Sequence, residues 1–124
     1  MNCRERVDAA LNHKEPDRVP IDLGSSIQTG MNGVMLSKMR DYWGLDKKTV
    51  EVFDPFQMIG YVDRDVINKV HGDLVLLENP INRFGHFNKN YREHVTFDGT
   101  PVMIAEAVQM VSDDDGNLYI YPQN

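Results

Sequence analysis

Four histidines and one cysteine are the side chains from which this 124-residue sequence could assemble a metal or nucleophilic site. His86 and His94 lie eight residues apart around a polar stretch, which is a weak metal signal beside the tight spacings that zinc sites use. His13 and His71 sit near the ends of two segments read as helices, where the negative end of the helix dipole accounts for an imidazole. Cys3 falls on the apolar face of the first of these helices and is expected to be packed and inert. As the one cysteine of the sequence, it excludes an internal disulfide framework and a thiolate-rich zinc site within these residues. Asp113 to Asn117, "DDDGN", is similar to part of a calcium loop but lacks that motif's later glutamate, so it reads as an acidic hairpin turn.

The elements that must position any site begin from an ordinary globular balance, 41% hydrophobic and 26% charged residues. A net charge of −6, with no basic cluster, argues against a nucleic-acid partner, because phosphate binding needs a basic surface. No apolar core of a signal peptide follows the first residues, and no window approaches the ~18 apolar residues of a membrane span, so a cytoplasmic protein is expected. No linker or repeat divides residues 1–124, which read as a single domain.

Residues 2–12 have a capping Asn2 and an apolar face of Cys3, Val7, Ala10 and Leu11, which predicts a helix. Pro16 ends it, and Val19 to Leu23 follow as a strand leading into the Gly- and Ser-rich loop 24–33. Asn32 is placed to cap a second helix reaching about Trp43, with Met31, Met35, Met39, Tyr42 and Trp43 as its core-facing stripe and Gly44 as its stop. "TVEVF" (49–53) reads as a short strand, Asp54-Pro55 as a helix start, and Asp63 as the opening of another helix closed by Gly72. The near-continuous apolar run "DLVLLE" (73–78) suits a strand buried on both faces of a parallel sheet. Asp98-Gly99 between alternating runs is a strong hairpin signal, and "AVQMV" and "LYIYP" around the acidic turn repeat the design.

"RERVDAALNHKEPDRVPIDLG" (4–24) resembles the N-terminal signature of the uroporphyrinogen decarboxylase family, nearest its corrinoid-dependent methyltransferase-like branch. The order "VFDPFQMIG", "GDLVLLENP", "FDGTPVMI" and "DDDGNLYIYPQ" extends the likeness more loosely over the remaining chain. The resemblance implies an α/β fold, the N-terminal portion of a TIM-barrel-like (β/α)8 barrel over 1–93, followed by an antiparallel β meander over 94–124. Such a barrel takes about 250 residues, so these 124 would be an incomplete barrel, a fragment of a larger enzyme. The other reading open to the sequence is a small α+β protein that is whole in itself, without catalysis.

Barrel catalysis sits beyond the C-terminal ends of strands, which points to Asp22 and Ser25 after the first strand and Glu78 and Asn79 after the second as substrate-binding residues. The plainer account is that Asp22 and the serines satisfy loop backbone groups. The family's decarboxylase holds its tetrapyrrole with an arginine-bearing loop, whereas "DLGSSIQTGMNG" (22–33) contains no arginine and sets Asp22 against a polycarboxylate. The methyltransferase branch implies a zinc-activated thiol and a corrinoid methyl donor for the complete protein, but no His/Cys set for zinc can be placed here. The partners implied are a small-molecule substrate or a corrinoid protein. Open barrel edges would add self-association to a homo-oligomer. Two functional classes follow: part of a methyl-transferring enzyme inactive by itself, or a non-catalytic domain that acts by association.

Overall fold

Asn2 starts the fold as the sequence indicates. In the computed structural model, which describes residues 1–115 and 117–122, its side chain accepts from the Glu5 N–H at 2.9 Å. The Glu5 carboxylate accepts the Asn2 N–H in return at 2.9 Å, completing a capping box for helix α1 (Cys3–Leu11). The buried side chains of α1 are Arg6 and Ala9, not the expected Cys3 and Leu11; Cys3 is exposed and Leu11 is 75% exposed. Arg6 turns inward because two aspartates await it, and a fully paired guanidinium can occupy a position that hydropathy assigns to solvent.

Strand β1 (Met31–Asn32) leads directly into helix α2 (Gly33–Tyr42), where Asn32 accepts from the Val34 N–H at 3.0 Å and Gly44, at φ +63°, follows the last turn. The core-facing residues of α2 are Gly33, Leu36 and Arg40, so the expected methionine stripe is rotated: Met35 and Tyr42 face solvent. Helix α3 (Arg64–Lys69) buries Val66 and Ile67, and its Asp65 engages the buried Arg40 through two bonds of 2.8 and 2.9 Å.

Strands β2 (Val50–Asp54), β3 (Ile59–Gly60), β4 (Tyr91–Val95) and β5 (Pro101–Ala105) join β1 in a mixed sheet of order β1-β3-β2-β5-β4. Only β2 and β5 run parallel, with Val50 opposite Val102, and every other pair in this sheet is antiparallel. Strands β6 (Met110–Ser112) and β7 (Leu118–Ile120) form a separate two-stranded sheet. The two apolar clusters centre on Leu36, Val50 and Val66 beneath α2 and α3, and on Val52, Val102 and Ile104 between the central strands.

This arrangement is not the start of a (β/α)8 barrel: strand and helix do not alternate around a parallel sheet. Residues 19–23 and 73–77, expected as the first two barrel strands, belong to no strand. They lie side by side through the Asp73 N–H, which donates to the Ile21 carbonyl at 2.8 Å. Val75 and Leu77 are 52% and 93% exposed, so the apolar run is not buried on both faces. A short apolar run carries no period that distinguishes a central strand from an edge segment. Strand β2 takes the central place, its alternating burial giving both faces something to cover.

The expected meander is likewise two hairpins in different sheets. Asp98-Gly99 turns β4 into β5, with Gly99 at φ +83°, but β5 then joins β2, while β6 and β7 pair with each other. The Asp54-Pro55 helix start is absent too. Strand β2 runs through Asp54, whose carboxylate accepts from the Gln57 N–H at 3.2 Å and shapes a turn back into β3.

Candidate functional site

Arg6, Asp17, Arg18 and Asp73 build a structural clasp. The Asp73 side chain is fully buried. It accepts from Arg6, from Arg18 at 2.7 and 3.0 Å, and from the Ile21 N–H at 2.9 Å. Arg6 also reaches Asp17 through bonds of 2.6 and 2.9 Å, and Arg18 donates to the His71 carbonyl at 2.8 Å. Burial pushes the Asp73 carboxyl up, but the Ile21 N–H and the two guanidinium groups outweigh it and hold it well below the usual carboxylate range. Every charge in the clasp has a partner, and none is left over for chemistry.

The candidate site lies beyond this clasp. Gly24, at φ +86°, turns the chain after Leu23, and its N–H donates to the Thr29 carbonyl at 2.9 Å. A Cβ there would stand 2.4 Å from Val62 Cγ2, so the close approach also requires glycine. The loop it opens forms one wall of a cleft of about 560 Å³, and residues 76–88 form another. Ser25, Ser26, Asp54, Asn79, Asn82 and Arg83 are among its lining residues. Ser25 and Asn79, drawn from stretches more than fifty residues apart, therefore meet in one cleft.

Asp22 stands behind Ser25, accepting its N–H at 3.0 Å and its hydroxyl at 2.6 Å, which is the loop-satisfying role of the plainer account. Asn79 accepts from the Ile81 N–H at 3.1 Å and shapes its own loop as well. Glu78 lines a smaller adjoining pocket of about 70 Å³, which shares Phe53, Leu76, Asn79 and Asn88 with the cleft.

Sequence reasoning missed the cleft's two charged residues. The Asp54 side chain is 2% exposed, and its carboxylate meets Arg83 Nε at 3.1 Å. The Arg83 guanidinium also lies over the Phe56 ring, 4.8 Å from its centroid. Its Nη nitrogens, the fork of the guanidinium, make no hydrogen bond among the described residues, and Arg83 lines the cleft. Such a fork suits a carboxylate or phosphate. Asp54-Pro55 was the available signal, but its pattern is that of a helix cap.

The histidines act separately. His86 is buried with its Nε2 2.7 Å from the Tyr121 carbonyl, tying the C-terminal segment down, while His94 sits half-buried on β4. Burial lowers the His94 imidazole, and Arg92 adds to the effect. Among the described residues no three His, Cys, Asp or Glu side chains gather into a metal site. Among the described residues no helix is long and apolar enough to cross a membrane. Compared with known proteins, the chain matches no family model, no curated protein and no solved structure.

The site's surroundings give a two-sided pH dependence of stability. Burial, with Glu51 and Glu78 adding to it, pushes the Tyr91 phenol up to about 12. An unfolded tyrosine ionises near about 10, so above that pH the unfolded chain releases a proton that the folded chain keeps, and stability falls towards pH 12. On the acid side, Asp17 and Asp73 are held low, so their contribution is complete above about pH 4 and is lost as pH falls further. Melting temperatures across pH 2–12 are expected to form a plateau with both shoulders, and the alkaline shoulder is expected to shift in Tyr91→Phe.

Proposed function

We propose that the chain supplies the substrate-binding face of a methyl-transferring enzyme akin to the corrinoid-dependent branch of the uroporphyrinogen decarboxylase family. The observation that carries this reading is the meeting of Ser25 and Asn79 in one cleft, with Glu78 in the pocket beside it and Asp22 bonded to Ser25. The likeness over residues 4–24 supplies the reaction class. Uroporphyrinogen fits less well, because among the described residues Arg83 is the one basic side chain lining the cleft and Asp54 already pairs with it. In this reading the zinc that activates the thiol is held by groups outside the cleft, the corrinoid arrives as a partner's methyl donor, and the reaction is cytoplasmic.

The test is methyl transfer from methylcobalamin to a small thiol in the presence of zinc, followed through the corrinoid's visible spectrum. Protein expressed from the complete reading frame is expected to transfer the methyl group, and residues 1–124 alone are expected to transfer none. Turnover by the 124-residue chain in a metal-free preparation, or none by the complete product, would overturn the reading.

A second reading, self-association, rests on a specific observation. Leu11, Val19, Val75, Leu77 and Phe97 are 52–102% exposed, and β4 is an edge strand of the main sheet. Exposed apolar side chains and an open edge favour pairing with another copy. Light scattering is expected to report a dimer or larger species; a monomer at high concentration would contradict self-association.

A further inference from the structure

We propose that the small pocket beside the cleft binds an organic ammonium ion, held by the carboxylates of Glu51 and Glu78 among the rings of Phe53, Tyr61 and Tyr91. Side chains alternate along β2, so Glu51 and Phe53 face away from the buried Val50 and Val52 and towards this pocket. Tyr61 is fixed just beyond β3, its N–H donating to the Glu51 carbonyl at 2.6 Å. Glu78 arrives on the segment after α3, and Tyr91 opens β4. Four separate parts of the chain thus bring two carboxylates and three aromatic rings to one cavity of about 70 Å³.

Neither carboxylate has an ion-pair partner among the described residues. Lys48, the cation within reach of Glu51, gives its ammonium to Asp63 at 2.7 Å. Burial raises both phenols, Tyr61 and Tyr91, and the nearby Glu78 adds to the shift of each.

The chemistry selects the kind of cation. A hard divalent ion takes about six to eight oxygen ligands, and no three metal-binding groups converge here. Aromatic faces instead favour a diffuse, weakly hydrated charge such as an alkylated ammonium. The volume admits a head group rather than a whole cofactor, and the rest of such a ligand would extend into the adjoining cleft.

The assignment shares Glu78 and the adjoining cleft with the methyl-transfer reading but rests on the pocket's own lining, and its test measures binding at equilibrium with no methyl transfer. The purified chain is titrated with tetramethylammonium by saturation-transfer NMR, with tert-butanol as the uncharged molecule of similar shape and calcium as the hard cation. Saturable binding of tetramethylammonium is expected, weakened about fivefold by Glu78→Gln and again by Glu51→Gln, with tert-butanol weaker by at least that factor. Both side chains are solvent-accessible, and unchanged circular dichroism verifies that the variants fold. No saturable signal from the wild type, equal binding of tert-butanol, insensitivity to both glutamine variants, or displacement by equimolar calcium would each overturn the assignment.

Discussion

Asp73→Ala is expected to destabilise the protein by about 3–5 kcal/mol, the usual cost of removing one partner from a buried ion pair. Its carboxylate is fully buried and accepts from two arginines and a backbone N–H, so deletion strands three donors at once. Arg6, with 9% of its side chain exposed, would keep only Asp17 and the Met1 carbonyl as partners. The same carboxylate joins residue 21 to residue 73, so the segment leading into the cleft loop would loosen with it. Asp17→Ala is the control: its side chain is 42% exposed, and a smaller loss is expected. Urea unfolding of both variants measures the difference. A loss below about 1 kcal/mol for Asp73→Ala would mean that solvent compensates the two guanidinium groups and that the clasp does not hold the fold.

Leu36→Ala is expected to cost about 2–5 kcal/mol, whereas its neighbour Met35→Ala changes stability by less than about 1 kcal/mol. Leu36 is 1% exposed against Val50, Val62, Val66 and Ile67, and truncating it opens a cavity where α2 meets the sheet. Met35 is 52% exposed. The pair distinguishes the observed orientation of α2 from the methionine stripe that periodicity favours, under which the two costs would be reversed. Thermal or urea melts of the two variants decide between them.

That reversal shows what was legible in the sequence. Most caps and turns were, because they depend on one or two residues with a local mechanism, although the Asp54-Pro55 helix start was not formed. Asn2, Asn32, Gly44 and Asp98-Gly99 all serve as their types suggest. Faces and partners were not. Arg6 and Arg40 lie inward because Asp17, Asp73 and Asp65, distant in sequence, neutralise them, and hydropathy assigns both arginines to solvent. The barrel expectation failed for a related reason: "DLVLLE" is apolar enough for a central strand, but the parallel partner of β5 is "VEVFD". Two of the four residues singled out for the site, Ser25 and Asn79, share the cleft, with Glu78 next door and Asp22 holding Ser25. Asp54 and Arg83 were not read as a pair because they stand nearly thirty residues apart and the Asp54-Pro55 pattern points to a helix cap instead.

The most direct measurement is methyl transfer from methylcobalamin by an Arg83→Lys variant, made in the same protein that serves as the wild-type reference and set beside its melting curve. Lysine keeps a positive charge for Asp54 but loses the planar fork, so stability is expected to change little. Methyl transfer is expected to fall by about tenfold or more, as when a bidentate charged contact to substrate is removed. Wild-type turnover in Arg83→Lys, with melting unchanged, would contradict the assignment of this cleft to the substrate.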